Sequence, residues 1–137
     1  MNNPTQEPSL FENLFPNEPA PPHTEIVGPS NLLKQRGARW YDYVVNEDGE
    51  LIVGERLPGQ GHANLAQGRK VRAAGQVQVT AGKIVEIDNA SGHYLPKGSN
   101  ARQAALETFR KNGFTVPDQV YIEKFFTDQT KLWEACE

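Results

Sequence analysis

The sequence predicts an α+β fold: a small antiparallel sheet with one main helix packed on it, behind a disordered N-terminal arm. Three observations predict it. Two separate stretches pair strand-forming residues across a glycine-bearing turn, and the second alternates polar and apolar residues. One stretch carries apolar residues at helical spacing. Seven of the ten prolines (Pro4, Pro8, Pro16, Pro19, Pro21, Pro22 and Pro29) crowd into the first 36 residues.

The arm, residues 1–36, follows from that crowding, because each proline removes a backbone donor and restricts the residue before it. With few apolar residues to bury, ordering entropy goes unopposed, so the arm is expected to be dispensable for folding. Leu10, Phe11, Leu14 and Phe15 form its one apolar cluster. That cluster reads either as a transient helical turn or as a docking motif for a delivery or chaperone partner. His23 lies among the prolines and is read as non-catalytic.

Residues 37–137 form the single α+β domain. Trp40-Tyr41-Asp42-Tyr43-Val44-Val45 is aromatic and β-branched, which suits a half-buried strand. Asn46-Glu47-Asp48-Gly49 supplies turn chemistry, and Leu51-Ile52-Val53-Gly54 returns as the second strand of a hairpin. After an irregular stretch, residues 63–67 make at most one helical turn. Gln76-Val77-Gln78-Val79 then alternates strictly, Ala81-Gly82 turns, and Lys83-Ile84-Val85-Glu86-Ile87 closes a second hairpin. A helix is predicted over residues 101–112, with Asn100 as its cap, Gln103 completing a capping box and Gly113 placed for a left-handed stop. Residues 120–126 read as a last strand, and Leu132 and Trp133 as a closing segment folded back on the core.

Composition narrows the function classes. A net charge of −3 argues against a generic nucleic-acid coat, though not against an enzyme that meets RNA through a local basic patch. No apolar run approaches the roughly 18 residues that span a bilayer, so no membrane partner is expected. No basic-then-apolar leader opens the chain, so a signal peptide is not expected either. Cys136 is the one cysteine, which excludes an intrachain disulfide. No phosphate-cradling glycine loop, dinucleotide fingerprint or nucleophile elbow is present. No Cys/His spacing fits zinc, and no metal or other cofactor is expected.

The candidate chemistry lies near loops. Gly61-His62-Ala63-Asn64-Leu65-Ala66 sets a histidine after a glycine-rich turn, and Ser91-Gly92-His93-Tyr94-Leu95-Pro96 sets a histidine and a tyrosine where the second hairpin ends. Histidine is both acid and base near neutral pH, so His62 and His93 can carry a proton in and out of one reaction if they converge. Tyr94 and Glu123 complete the candidate catalytic set, with Lys70, Arg72, Asn64 and Ser91 as candidate substrate-binding residues. Each has a plainer reading: His62 as a structural loop histidine, Glu123 as the solvent-facing member of a strand, and Arg69-Lys70-Val71-Arg72 as a solvated basic patch. Two metal-free chemistries stay open. In histidine-driven RNA cleavage, His62 and His93 act as base and acid, Lys70 steadies the phosphate, Tyr94 stacks or hydrogen-bonds, and Glu123 orients a histidine. In ADP-ribosyl transfer from NAD, His62 holds the ribose, Tyr94 packs on nicotinamide and Glu123 stabilises the oxocarbenium-like transition state. A non-enzymatic protein-binding module is the third reading.

The segments from Gly61 to Ala66, Val71 to Gly75, Gly82 to Val85 and Asp88 to Pro96, continuing into Tyr121-Ile122-Glu123-Lys124, resemble C-terminal toxin domains of bacterial polymorphic effectors, the tips of RHS-repeat, contact-dependent and type VI delivered proteins. A looser similarity, through the Ala-Ala-Gly strand and the Ser-Gly-His-Tyr-Leu-Pro turn, is to a domain of plant IQ-motif calmodulin-binding proteins. The toxin resemblance implies an antibacterial effector, exported by a dedicated secretion system and acting as a monomer in the recipient cytoplasm. It further implies a nuclease or, less commonly, an ADP-ribosyltransferase, held in check by a cognate immunity protein. No RHS core precedes the domain, so the chain is expected to be a detached module or a stand-alone cargo effector.

Overall fold

The computed structural model describes residues 9–124, and these form an α+β unit built on one six-stranded sheet. In chain order the elements are β1 (Ile26–Val27), α1 (Pro29–Leu33), β2 (Ala38–Asn46), β3 (Leu51–Glu55), α2 (His62–Ala66), β4 (Val71–Thr80), β5 (Lys83–Asp88), α3 (Ser99–Lys111), a 3-10 turn (Asp118–Val120) and β6 (Tyr121–Ile122). The strand order is β1-β3-β2-β4-β5-β6. Every pairing is antiparallel except β5 with β6, which run parallel across the α3 connection.

Both hairpins form where the sequence places them, and each turn has a local cause. In the first, the Asn46 carboxamide oxygen accepts from the backbone N–H of Asp48 (3.0 Å) and Glu50 (2.9 Å), while Gly49 takes φ +82°. In the second, Ala81 (φ +50°) and Gly82 (φ +78°) form the two-residue loop whose left-handed pair matches strand twist. The hairpins join through β2 and β4, with Tyr43 opposite Gly75.

The sheet is covered on both faces. On one, Tyr41, Tyr43, Val45, Val77, Val79 and Ile87 pack against Ala105, Leu106 and Phe109 of α3, with Phe114 and Val116 beyond it. On the other, Val44, Val71 and Ala74 pack against Leu65 and Ala66 of α2, Tyr94 and the half-buried Phe11. Double cover explains why residues 41–45 are all buried, with no polar face turned to water. A charged residue in that run, Asp42, is therefore enclosed.

Three details differ from expectation. The first is the arm: from residue 9 onward it is laid onto the domain. Leu32 is fully buried in the α3-side core, β1 extends the sheet beside β3, and the Tyr41 hydroxyl donates to Gln35. Proline did not forbid this, because Pro29 sits in the first turn of α1, where its missing N–H has no partner to lose. Pro16 stands in a turn closed by Glu18 N on Phe15 O, and Pro19, Pro21 and Pro22 in backbone outside any ladder. The second is the start of α3. Gly98 (φ +94°) is its N-cap, with no side-chain cap. Asn100 donates to the Ser9 hydroxyl and Gln103 to Glu107, so the capping box does not form. The helix end is as expected: Gly113 (φ +97°) bonds Arg110 O and Phe114 bonds Phe109 O, a left-handed stop with the Phe109 and Phe114 rings 5.9 Å apart. The third is the last strand, which is only Tyr121–Ile122: Val120 belongs to the 3-10 turn, Glu123 and Lys124 are past the strand, and Phe125, Phe126, Leu132, Trp133 and Cys136 lie outside the described residues.

Candidate functional site

A cleft of about 240 Å³ opens on the α2 face of the sheet. His62 and Asn64 of α2 line it together with Gly59, Gln60 and Gly61, and Gly92 and His93 face them from the loop after β5. Glu18 and Pro19 of the N-terminal segment also line it. The two histidines that the sequence singles out are thus brought to one place.

His62 is the better held. It is almost wholly buried, and its Nε2 lies 2.7 Å from the carbonyl oxygen of Gly75. A carbonyl only accepts, so Nε2 carries the proton, and the neutral ring keeps its lone pair on Nδ1. Gly75 is also tightly packed on the opposite, α3-side face of the sheet, where its missing side chain leaves room for neighbouring backbone. A Cβ there would stand 1.9 Å from Asp88 O and 2.6 Å from Asp88 C. The Asp88–Asn89 backbone therefore crosses directly over β4, and Tyr43 Oη donates to the same Asp88 O at 2.7 Å.

Behind His62 stands Asp42, which sequence reasoning missed. Its carboxylate is completely buried and neither oxygen accepts a hydrogen bond. Its charge neighbours are Arg56 Nε at 3.8 Å and His62 Nε2 at 4.0 Å, both from Oδ1. Burial raises its pKa above the ordinary carboxylate value, against the opposing pull of His62, Arg56 and His23. The missed signal was an aspartate inside an otherwise apolar strand, where a solvated carboxylate has no place.

His93 is the more accessible histidine. Its Nε2 donates toward Glu18 Oε1 at 3.3 Å, and the Phe15 ring meets it edge-on with centroids 5.1 Å apart. Burial lowers its pKa from the usual imidazole value, with Glu18 pulling upward and His62 pushing further down. The last influence reflects two imidazoles close enough that charge on one disfavours charge on the other.

The remaining candidates lie apart from the two histidines or are engaged in structure. Tyr94 is buried, its hydroxyl donates to Arg69 O, and burial pushes its pKa up to about 12. Glu123 accepts the N–H of Gly98 at 2.6 Å, a carboxylate at the start of α3 where the helix dipole favours one. Lys70 pairs with Glu12 at 3.6 Å, and Arg72 donates twice to Glu47 O across the first hairpin turn. Asn64 lines the cleft, but its side chain accepts from Gly61 N and donates to Pro21 O. Ser91 is buried, with its hydroxyl lacking any hydrogen-bond partner. His23, expected to be inert, is a buried tie: Nδ1 accepts from Glu25 N and Nε2 donates to Glu55 O, each at 3.0 Å. Among the described residues no three His, Cys, Asp or Glu side chains gather as a metal would require, and no helix is long and apolar enough to cross a membrane.

Searches of curated proteins and of solved structures give no match. The family model described as the IQ motif-containing protein middle domain matches residues 29–101. That span runs from α1 into the first turn of α3 and includes Asp42, His62, Gly75 and His93. It carries the IQ-motif similarity well beyond the strand and turn that first suggested it, whereas no comparison supports the likeness to bacterial toxin domains. With more than half of its residues matched, the chain belongs to the family of the IQ motif-containing protein middle domain.

Proposed function

We propose that this cleft is a catalytic site for metal-independent cleavage of RNA by histidine acid–base chemistry. The observation that carries the reading is the placement of His62 and His93 on one cleft, with His62 fixed in the tautomer a general base needs. In the proposed reaction His62 Nδ1 takes the proton of a ribose 2′-hydroxyl, and the 2′-oxygen attacks phosphorus. The bond from phosphorus to the 5′-oxygen breaks, and protonated His93 gives its proton to that leaving oxygen. The products are a 2′,3′-cyclic phosphate and a 5′-hydroxyl. Asp42, 4.0 Å from Nε2, favours the imidazolium that His62 becomes.

The alternative of ADP-ribosyl transfer from NAD needs Tyr94 and Glu123 beside His62. The Tyr94 hydroxyl is held by Arg69 O and the Glu123 carboxylate by Gly98 N, which is why RNA cleavage is preferred. On the resemblance alone, the same proposal extends to an antibacterial effector acting in a target-cell cytoplasm, with a cognate immunity protein that covers this cleft.

The test is incubation of the purified chain with single-stranded RNA in the presence of a chelator, followed by analysis of product ends. Cyclic phosphate ends are expected, with His62→Ala and His93→Ala each slowing cleavage by about 100-fold or more. Intact RNA from a folded protein that also leaves NAD unconsumed would put the protein-binding module first.

A further inference from the structure

The N-terminal segment meets two of the candidate cations with acids. Glu12 Oε1 lies 3.6 Å from Lys70 Nζ, and Glu18 Oε1 lies 3.3 Å from His93 Nε2. Between them Phe15 sets its ring against the His93 imidazole. Among the described residues the segment's backbone is tied to the domain through a short set of bonds. Phe11 and Val71 exchange two hydrogen bonds (2.7 and 3.0 Å), Leu14 N donates to His93 O (2.8 Å), and Asn64 holds Pro21 O. Pro16 and Pro19 contribute no N–H to any ladder. Both carboxylates are largely in water, with Glu12 74% and Glu18 53% exposed, so their ion pairs are weak and easily exchanged.

Resting on the ribonuclease reading above, we infer that residues 11–19 lie along the path of a single-stranded RNA ligand and occupy it in the free protein. Glu12 and Glu18 stand where backbone phosphates pair with Lys70 and His93, and Phe15 stands where a base stacks. The chemistry favours this ligand class. An ammonium and an imidazole separated by an aromatic contact suit a polymer that alternates anionic groups with flat rings, and stacking plus charge is how single strands are held. The ligand exchanges against two surface ion pairs and one ring contact while the Phe11–Val71 bridge keeps the segment nearby. This accounts for the positions of Glu12 and Glu18, which the catalytic reading leaves without a role.

The experiment uses the full chain and a fluorescent oligouridylate as probe, followed by anisotropy and by the NMR signals of the His93 ring. Glu12→Gln/Glu18→Gln is expected to bind about three- to tenfold tighter than the parent, from two exposed pairs removed. His93 signals should move on binding, and adding Lys70→Ala should cancel the gain. Glu25→Gln/Glu47→Gln, with the same change in net charge elsewhere, should leave affinity within twofold. Equal affinity of parent and Glu12→Gln/Glu18→Gln, an equal gain in the charge control, or unmoved His93 signals would each overturn the inference. Tighter binding with moved His93 signals but intact RNA supports the occupied path and sinks the ribonuclease reading. Cleavage that needs both histidines, with no change in affinity, does the reverse.

Discussion

Replacing Gly75 by alanine tests the close crossing at the end of β5, from which the loop carrying His93 departs. The added Cβ would stand 1.9 Å from Asp88 O, 2.6 Å from Asp88 C and 3.0 Å from Asn89 Cα, all backbone atoms. Ordinary contact begins near 3.4 Å, so the end of β5 must retreat by about 1.5 Å. Three buried hydrogen bonds depend on its position: Tyr43 Oη to Asp88 O (2.7 Å), and Gln76 N and Ala90 N to Asp88 Oδ1 (2.8 and 3.0 Å). At about 1 kcal/mol each, with about 1–3 kcal/mol for overpacking, the loss is roughly 4–6 kcal/mol. That is a large share of the ~5–15 kcal/mol that holds a domain together. Urea unfolding of Gly75→Ala against the parent measures it, with Gly28→Ala as control, since a Cβ at Gly28 meets nothing within 4 Å. A Gly75→Ala protein that loses less than about 1 kcal/mol would falsify the close crossing of the Asp88–Asn89 backbone over β4.

Leu32→Ala should cost about 2–5 kcal/mol in the same assay, as for a leucine with no exposed surface, and a change under 0.5 kcal/mol would restore the dispensable arm. His93→Ala should spare stability to within about 1 kcal/mol while abolishing RNA cleavage, whereas His62→Ala should also destabilise by about 1–3 kcal/mol because Gly75 O loses its buried donor. Asp42 has its pKa raised by burial, so its protonated form favours the fold below about pH 4, and that contribution is lost as pH rises through the folded value. Asp42→Asn should therefore gain stability relative to the parent as pH rises from about 4 to 7, and a gap that narrows or stays constant in urea titrations would contradict the sign.

The local parts of this fold were legible because their causes are local. Asn46 and Gly49 make their turn with their own backbone, Ala81-Gly82 closes a two-residue loop, and Gly113 ends α3 with its N–H on Arg110 O while Phe114 N bonds Phe109 O. What the sequence concealed depends on distant partners. Leu32 looks like any exposed linker leucine until the α3-side core covers it. Asn100 has the right chemistry for a cap, yet Ser9 takes its side chain and Gly98 opens the helix instead. Ser91 and Tyr94 stood out through their motif, and both turn inward, Tyr94 bracing the loop that presents His93 through its bond to Arg69 O.

The motif and the chemistry therefore separate along one short turn. In Ser91-Gly92-His93-Tyr94, the serine and tyrosine are buried, the glycine lines the cleft, and the histidine alone offers a titrating group there. Leu95 N bonds Ser91 O at 2.9 Å while Leu95 itself takes φ +44°, so the turn is closed tightly with His93 at its outer edge. The same division holds on the other wall, where Asn64 ties α2 to Gly61 and Pro21 and His62 keeps Nδ1 without a hydrogen bond among the described residues. A cleft whose walls are closed by backbone bonds and by the Tyr94 and Asn64 side chains, with one imidazole on each side, is better suited to moving protons than to broad protein contact. That asymmetry, rather than the motif by itself, is the physical ground for preferring a catalytic cleft over a binding turn.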